Sequence, residues 1–222
     1  ANPPYYQSAV ITEASKSVSL SGSSSKAYTT GGRGIESLFT EWIIKSLKKG
    51  GEANIILPDG IFTNIANDKL KKFILDTCYI ESIISLPVGT FFNTPKKTYI
   101  LTVHKRTDAE KSSAQPYPIF AYLCSTIGET LDSYRFDIDD NDLRDAVDLY
   151  TLYKNNKSHS MVQNAVNDNP RAKLLKIEKF GKDDNWDINL HWTDEEKEAL
   201  GIKKKDNIMN LDEFNGYISE LI

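Results

Sequence analysis

The chain has 222 residues, 40% hydrophobic and 26% charged, the balance of a globular protein able to bury a sizeable core. No apolar run approaches the ~20 residues that a membrane-spanning helix needs, so no membrane association is expected. The formal net charge of −4 is not that of a general nucleic-acid binder, but it is unevenly spread. Lys45, Lys48, Lys49, Lys69, Lys71, Lys72, Lys96, Lys97, Lys105 and Arg106 fall between residues 45 and 106, whereas acidic residues crowd 137–148 and 183–198. Cys78 and Cys124 lie in apolar contexts without Cys-x-x-Cys spacing, which predicts buried thiols in a reducing cytoplasm. The three histidines are scattered and suggest no metal site.

Near the start stands Asn2-Pro3-Pro4-Tyr5. Consecutive prolines fix their φ angles and offer no N–H, so the step is rigid and its carbonyls are free to accept. An amide before it and an aromatic ring after it can grip a planar amine: the Asn2 oxygen and a prolyl carbonyl accept its hydrogens, and Tyr5 covers a π-face. Residues 7–30, rich in Ser, Thr, Gly and Lys, read as a long loop.

Gly31-Gly32-Arg33-Gly34 then opens a helix whose apolar stripe is Ile35, Leu38, Phe39, Trp42, Ile43 and Leu47. Lys48 and Lys49 fall in its last turn, and Gly50-Gly51 stop it. Residues 53–57 are a short buried strand ending at Pro58-Asp59-Gly60, and 67–77 a helix with Leu70, Phe73 and Ile74 inward. Strands follow at 79–86, 98–104 and 118–123. The connection at 87–97 is too short for a helical crossover, so 79–86 and 98–104 are expected to be antiparallel neighbours. The alternation predicts an α/β sandwich around a mostly parallel sheet. A helix at 142–153 turns Leu143, Ala146, Val147 and Tyr150 to one side, and 154–170 read as linker. The remainder is weakly patterned, apart from Trp186, Trp192 and a helix at 193–200 opened by the capping box Thr193-Asp194-Glu195-Glu196.

Asn2-Pro3-Pro4-Tyr5 resembles the catalytic motif of the adenine-N6 DNA methyltransferases, which flip a base out of the duplex before methylating it. The glycine-led helix, the Lys49-Gly50-Gly51 turn, the apolar strand, Leu57-Pro58-Asp59-Gly60 and the stretch 86–100 follow it in the order found in modification subunits of type I restriction systems. The resemblance implies the C-terminal half of a Rossmann-like class I S-adenosylmethionine-dependent methyltransferase fold at residues 1–125, with a partly helical extension at 126–222. It implies that Asn2, Pro3, Pro4 and Tyr5 form the catalytic set, in which Asn2 and the Pro3 carbonyl accept the adenine amino hydrogens and Tyr5 stacks on the flipped base. Phe92 matches a second stacking aromatic, with Phe91 as the alternative register. Phe39 and Pro58 are expected at the adenosyl side, and Lys96 and Lys97 near DNA phosphate.

The implied methyl donor is S-adenosylmethionine, and the implied partners are double-stranded DNA and the specificity and restriction subunits. In this family a glycine-rich turn upstream of the motif holds the cofactor. This sequence opens at the motif and has no strand followed by Gly-x-Gly. The isolated chain is therefore expected to be inactive and prone to self-association. The alternative is a non-catalytic remnant of the fold that binds DNA or a partner subunit.

Overall fold

The computed structural model describes residues 1–4, 28–30, 34–92, 96–111 and 113–203. Tyr5, most of the loop at 7–30 and Gly31-Gly32-Arg33 lie outside the described residues. The elements in order are α1 (Ile35–Ser46), β1 (Glu52–Pro58), α2 (Asp59–Thr63), α3 (Asp68–Thr77), β2 (Cys78–Ser85), β3 (Thr98–Lys105), β4 (Ile119–Leu123), β5 (Ile127–Glu129), β6 (Asp137–Asn141), α4 (Asp142–Asn155), α5 (Ser160–Asp168), β7 (Ala172–Leu175) and α6 (Asp194–Ala199).

Five strands form one sheet in the order β1-β3-β2-β4-β7, and β5 and β6 form a separate hairpin. The large sheet is mixed rather than mostly parallel. β2 pairs parallel with β4, while β3 is antiparallel to both β1 and β2, and β7 is antiparallel to β4. The short 87–97 connection forces the return of β3, as expected. Instead of lying at an edge beside β2 alone, however, β3 fits between β2 and β1, with Leu101 opposite both Ile55 and Ile83. β1, β2 and β4 consequently run in one direction and end on one rim. Beyond β3, Ala1 bonds to the other side of β1. Its amine donates to the Asn54 carbonyl at 2.6 Å and its carbonyl accepts from the Ile56 N–H at 2.9 Å, the pair of bonds a parallel neighbour makes.

Both faces of the sheet are covered. On one, Ile55, Leu57, Ile80, Ile83, Leu101 and Val103 meet Ile44 of α1 and Leu70 and Ile74 of α3. On the other, Ile84, Phe120, Tyr122 and Ala172 meet Ala146 and Tyr153 of α4 and Val166 of α5. Each fully buried side chain of this size contributes roughly 1.5–3 kcal/mol by leaving water. α5 occupies part of the stretch that its polar composition marked as linker, because Val166 alone gives it a buried anchor. In α4, Tyr153 is buried and donates to the Pro118 carbonyl at 2.8 Å, while Val147 is exposed.

α1 departs most from its sequence pattern. Its buried residues are Glu36, Ser37, Thr40, Glu41 and Ile44, whereas Trp42 is 41% exposed and the rest of the predicted stripe is half-buried. Small hydroxyl residues let the helix approach closely because they satisfy themselves locally. Ser37 Oγ donates to the Gly34 carbonyl at 2.8 Å and Thr40 Oγ1 to the Glu36 carbonyl at 2.7 Å. The buried Glu41 carboxylate accepts from the N–H and hydroxyl groups of both Thr29 and Thr30 and from Lys45. α1 also stops before Lys48 and Lys49. Its last carbonyls, of Ile44, Lys45 and Leu47, accept instead from Lys105 Nζ at 2.9, 3.0 and 2.7 Å, a cation placed at the negative end of the helix dipole. Gly50, at φ +75°, makes the turn into β1.

The weakly patterned C-terminal stretch contributes more than its sequence suggested. β7 completes the sheet, and Phe180, Trp186, Ile188, Trp192 and Leu200 join the same core as α1 and α3. The indole N–H groups of Trp186 and Trp192 donate to the Gly181 and Pro170 carbonyls, so both rings are buried without an unmet donor. Lys71, buried on α3, donates to the Phe62 and Asp184 carbonyls and lies over the Trp186 ring. The capping box at Thr193 and Glu196 forms as its sequence predicts.

Two outcomes are expected. Lys105→Met should lower stability by about 1–2 kcal/mol in urea titration, because three helix-end carbonyls lose their partner. For Glu41, burial pushes the carboxyl upward, but the bonds from Lys45, Thr30 and Thr29 outweigh it and hold the group down at about 2, against an ordinary 4.5. Its stabilisation is complete above pH 4.5 and fades as the pH falls toward 2, where the folded chain also takes up the proton. Glu41→Gln should therefore cost about 3 kcal/mol at pH 7 and flatten the stability profile between these pH values.

Candidate functional site

In sheets of this kind the rim where the parallel strands end is the usual place for a ligand, because loops diverge there and leave a crevice. Here the rim gathers the residues after Ala1, the Pro58–Asp59 step after β1, the 86–97 loop after β2 and the turn after β4. Asn2 and Pro4 are exposed and Pro3 is buried. The pairing of Ala1 with β1 delivers Asn2 and Pro3 alongside the last residues of that strand. Pro58 is buried and caps α2, whose Asp59 N–H donates to the Lys97 carbonyl at 3.0 Å. Phe39 is half-buried on the N-terminal half of α1 and meets Trp42 edge-on at 6.2 Å.

The described residues of the 86–97 loop place the two aromatic rings differently. The Leu86 N–H donates to the Thr98 carbonyl, closing the neck, and the Thr90 N–H and hydroxyl both donate to the Pro87 carbonyl, closing a turn. Gly89 in that turn has φ +87°, a conformation open to glycine and disfavoured for other residues. Phe91 packs against the core face shared with α4, whereas Phe92 is 66% exposed. One ring thus faces inward and the other stands at the surface.

Of the two lysines, Lys96 is half-buried, and Lys97 turns its ammonium toward Asn189 Oδ1 at 3.1 Å, 5.8 Å from the Tyr99 ring centre. Asn189 is a hub. Its Nδ2 donates to the Tyr99 hydroxyl at 3.0 Å, its Oδ1 accepts from Ser85 Oγ, and the Tyr99 hydroxyl in turn donates to Asp187 Oδ1 at 2.8 Å. Burial lowers the pKa of Lys97, opposed by the charge of Asp187, and burial followed by Asp187 raises that of the Tyr99 phenol. The arrangement anchors the C-terminal segment over the ends of β2 and β3. Burial pushes the Cys78 and Cys124 thiols up to about 12, so both stay protonated and neither can act as a nucleophile at neutral pH.

Sequence reasoning did not single out Gly89, Arg135, Asp187 or Asn189. Arg135 Nη2 donates to the Gly89 and Thr90 carbonyls, and its guanidinium lies 4.6 Å from the Phe92 ring centre. Its flanking residues, Tyr134 and Phe136, are both exposed. An arginine between two aromatics in a polar hairpin was the available signal.

Comparison with known proteins bears on the family and the fold. The family model described as N-6 DNA Methylase matches residues 1–197. A 72-residue stretch is 32% identical to the methylase subunit of the type I restriction enzyme EcoKI from Escherichia coli K12, and a 70-residue stretch is 31% identical to the StySJI subunit from Salmonella typhimurium. These alignments cover 32% and 31% of this chain but only 14% and 13% of the relatives. In fold, the chain resembles a type I restriction-modification methyltransferase subunit from Streptococcus thermophilus, with a TM-score of 0.54 at 15% identity over 83% of this chain and 36% of that one. A structure from a study of type I R-M complex assembly gives a TM-score of 0.55 at 18% identity, over 85% of this chain and 37% of the other. A family match spanning the rim, the mixed sheet and most of the C-terminal segment leaves one assignment: the chain belongs to the N-6 DNA methylase family, and the relatives it resembles are type I modification subunits.

Proposed function

We propose that this chain supplies the adenine-holding part of a DNA N6-adenine methyltransferase in a type I restriction-modification system. The observation that carries the reading is the placement of Asn2-Pro3 along the end of β1, on the same rim as the loop that exposes Phe92. Asn2 Oδ1 and the Pro3 carbonyl would accept the two amino hydrogens of an extruded adenine. Those bonds draw the amino nitrogen toward tetrahedral geometry and free its lone pair. Tyr5 and Phe92 would stack on the base, which positions it for attack and offsets the cost of leaving the duplex. Phe91, packed inward, serves the loop rather than the base.

S-adenosylmethionine is the methyl donor this chemistry requires; it supplies an electrophilic methyl group, and the amino nitrogen loses a proton on accepting it. Phe39 fits the adenosyl side, because its half-buried ring offers an apolar wall. Pro58, buried at the N-cap of α2, is the second residue assigned to that side. The sequence has no glycine-rich turn able to cradle the methionine and ribose, so the 222-residue chain alone is expected not to methylate DNA. Lys96 and Lys97, just before β3, are the cations assigned to DNA phosphate, and Lys97 also donates to Asn189 Oδ1. A purely subunit-binding role is the second reading. It is favoured by the 41% exposure of Trp42 on α1, an apolar surface that a partner protein could cover.

The test is tritium transfer from S-adenosylmethionine to duplex DNA by the native protein containing this chain. Asn2→Ala should reduce transfer by at least about 100-fold with unchanged thermal unfolding, a loss in the range of one transition-state contact. Wild-type rates in that variant would leave the subunit-binding reading standing. Phe92→Ala should weaken capture of the flipped base by about 1–3 kcal/mol while leaving stability intact. Phe91→Ala should instead lower stability, by about 1–3 kcal/mol in urea titration, because its ring fills core space.

A further inference from the structure

Phe92 poses a physical problem. A large aromatic ring that is 66% exposed gains little from burial, and burial therefore does not fix its orientation. Arg135 is placed to do so. It belongs to the chain between β5 and β6, and its side chain is only 13% exposed. Nη2 donates to the carbonyls of Gly89 at 2.5 Å and Thr90 at 3.1 Å, and Nη1 stands 3.7 Å from the Glu129 carboxylate on its own hairpin. The guanidinium carbon lies 4.6 Å from the centre of the Phe92 ring. One cation thus holds the backbone of the turn and one side of the ring together.

The platform beneath Arg135 is itself fixed. β5 and β6 pair Glu129 with Asp137, and the Thr130 N–H donates to the Phe136 carbonyl at 2.9 Å. At the root of the hairpin the Asp142 carboxylate accepts from the Ser125 and Thr126 N–H groups and pairs with Arg171 at 3.1 Å. Burying a guanidinium costs solvation, and Nε has no partner among the described residues. A surface loop with a merely structural need would be served by an apolar contact at less cost. A ring braced by a cation on one side and largely open to solvent is instead ready to stack a second planar group.

We propose that Arg135 is a positioning residue for base capture: it locks the 87–92 turn so that Phe92 presents its open face to the extruded adenine. The inference rests on the stacking role given to Phe92 above. It adds a hairpin outside the motif-bearing part of the chain to the machinery that receives the base. Lysine cannot reproduce the arrangement, since a point ammonium lacks the planar fork that reaches two carbonyls and the ring together.

The experiment uses the native protein containing this chain, with its methylated sequence first mapped in genomic DNA and 2-aminopurine then placed at the target adenine. Hydrogen exchange over residues 87–92 reads the clamp directly, and 2-aminopurine fluorescence reads capture of the base. Arg135→Gln is expected to raise exchange in the turn, to cut the fluorescence change about tenfold, and to leave KM for S-adenosylmethionine unaltered. Arg135→Lys should fall between Gln and wild type. The Phe92→Ala, Arg135→Gln double variant should be no worse than Phe92→Ala alone, as one residue acting through the other requires. Unchanged exchange in Arg135→Gln, or losses that add in full, would overturn the proposal while leaving the stacking role of Phe92 intact. Normal base capture by Phe92→Ala would instead overturn the stacking role and with it any part for Arg135 in the reaction.

Discussion

The position of β3 is the constraint on which the rest of this structure depends. An antiparallel strand lies between β1 and β2, with Tyr99, Leu101 and Val103 buried on one of its faces. Its eight residues bond on both sides, so neither neighbour can shift register without exposing an apolar set to water. Because β3 must enter at the rim where β1 and β2 end, the chain leading into it is forced to cross that rim. The loop carrying Phe91 and Phe92 is there for this topological reason. The crossing is one that the sheet itself requires.

The same strand organises the polar side of the rim. Lys97, just before β3, and Tyr99, within it, reach Asn189 and Asp187 from the C-terminal segment. A half-buried side-chain network of this kind specifies one arrangement more sharply than apolar contact does, since a shifted segment would strand several donors at once. Rim geometry therefore depends on residues remote in sequence. Asn189 bonds to the end of β2 through Ser85, and Arg135 bonds to the turn after it.

Much of the fold is legible in the sequence. The strands at 53–57, 79–86, 98–104 and 118–123 carry dense β-branched and aromatic residues and agree with β1 to β4 within one or two positions. The antiparallel return of β3 follows from loop length alone. Legibility fails where polar residues are buried. In α1, Ser37, Thr40 and Glu41 face inward, because each finds a hydrogen-bond partner that periodicity analysis does not see. α5 and β7 were hidden because each is short and keeps few residues fully buried. At the site, Phe92 is exposed and Phe91 packs inward, a difference in burial that two adjacent phenylalanines do not reveal in sequence. For Arg135 the sequence offered only an arginine between two aromatics, because the carbonyls it bonds lie 45 and 46 positions away.

Lys71 has a consequence for how the chain reaches this state. Its ammonium is buried between the Phe62 carbonyl and that of Asp184, 113 positions downstream, against Trp186. Until that downstream segment arrives, a charged group on α3 and the apolar surface beneath it face water. Contacts of such long sequence separation form late, because closing a large loop precedes the energy it returns. During synthesis at ~5–20 residues per second, the first four strands would wait several seconds outside the ribosome with one face unlidded. That interval is a window for chaperone capture or misassociation, so the yield of folded protein should respond to translation speed across the last third of the chain.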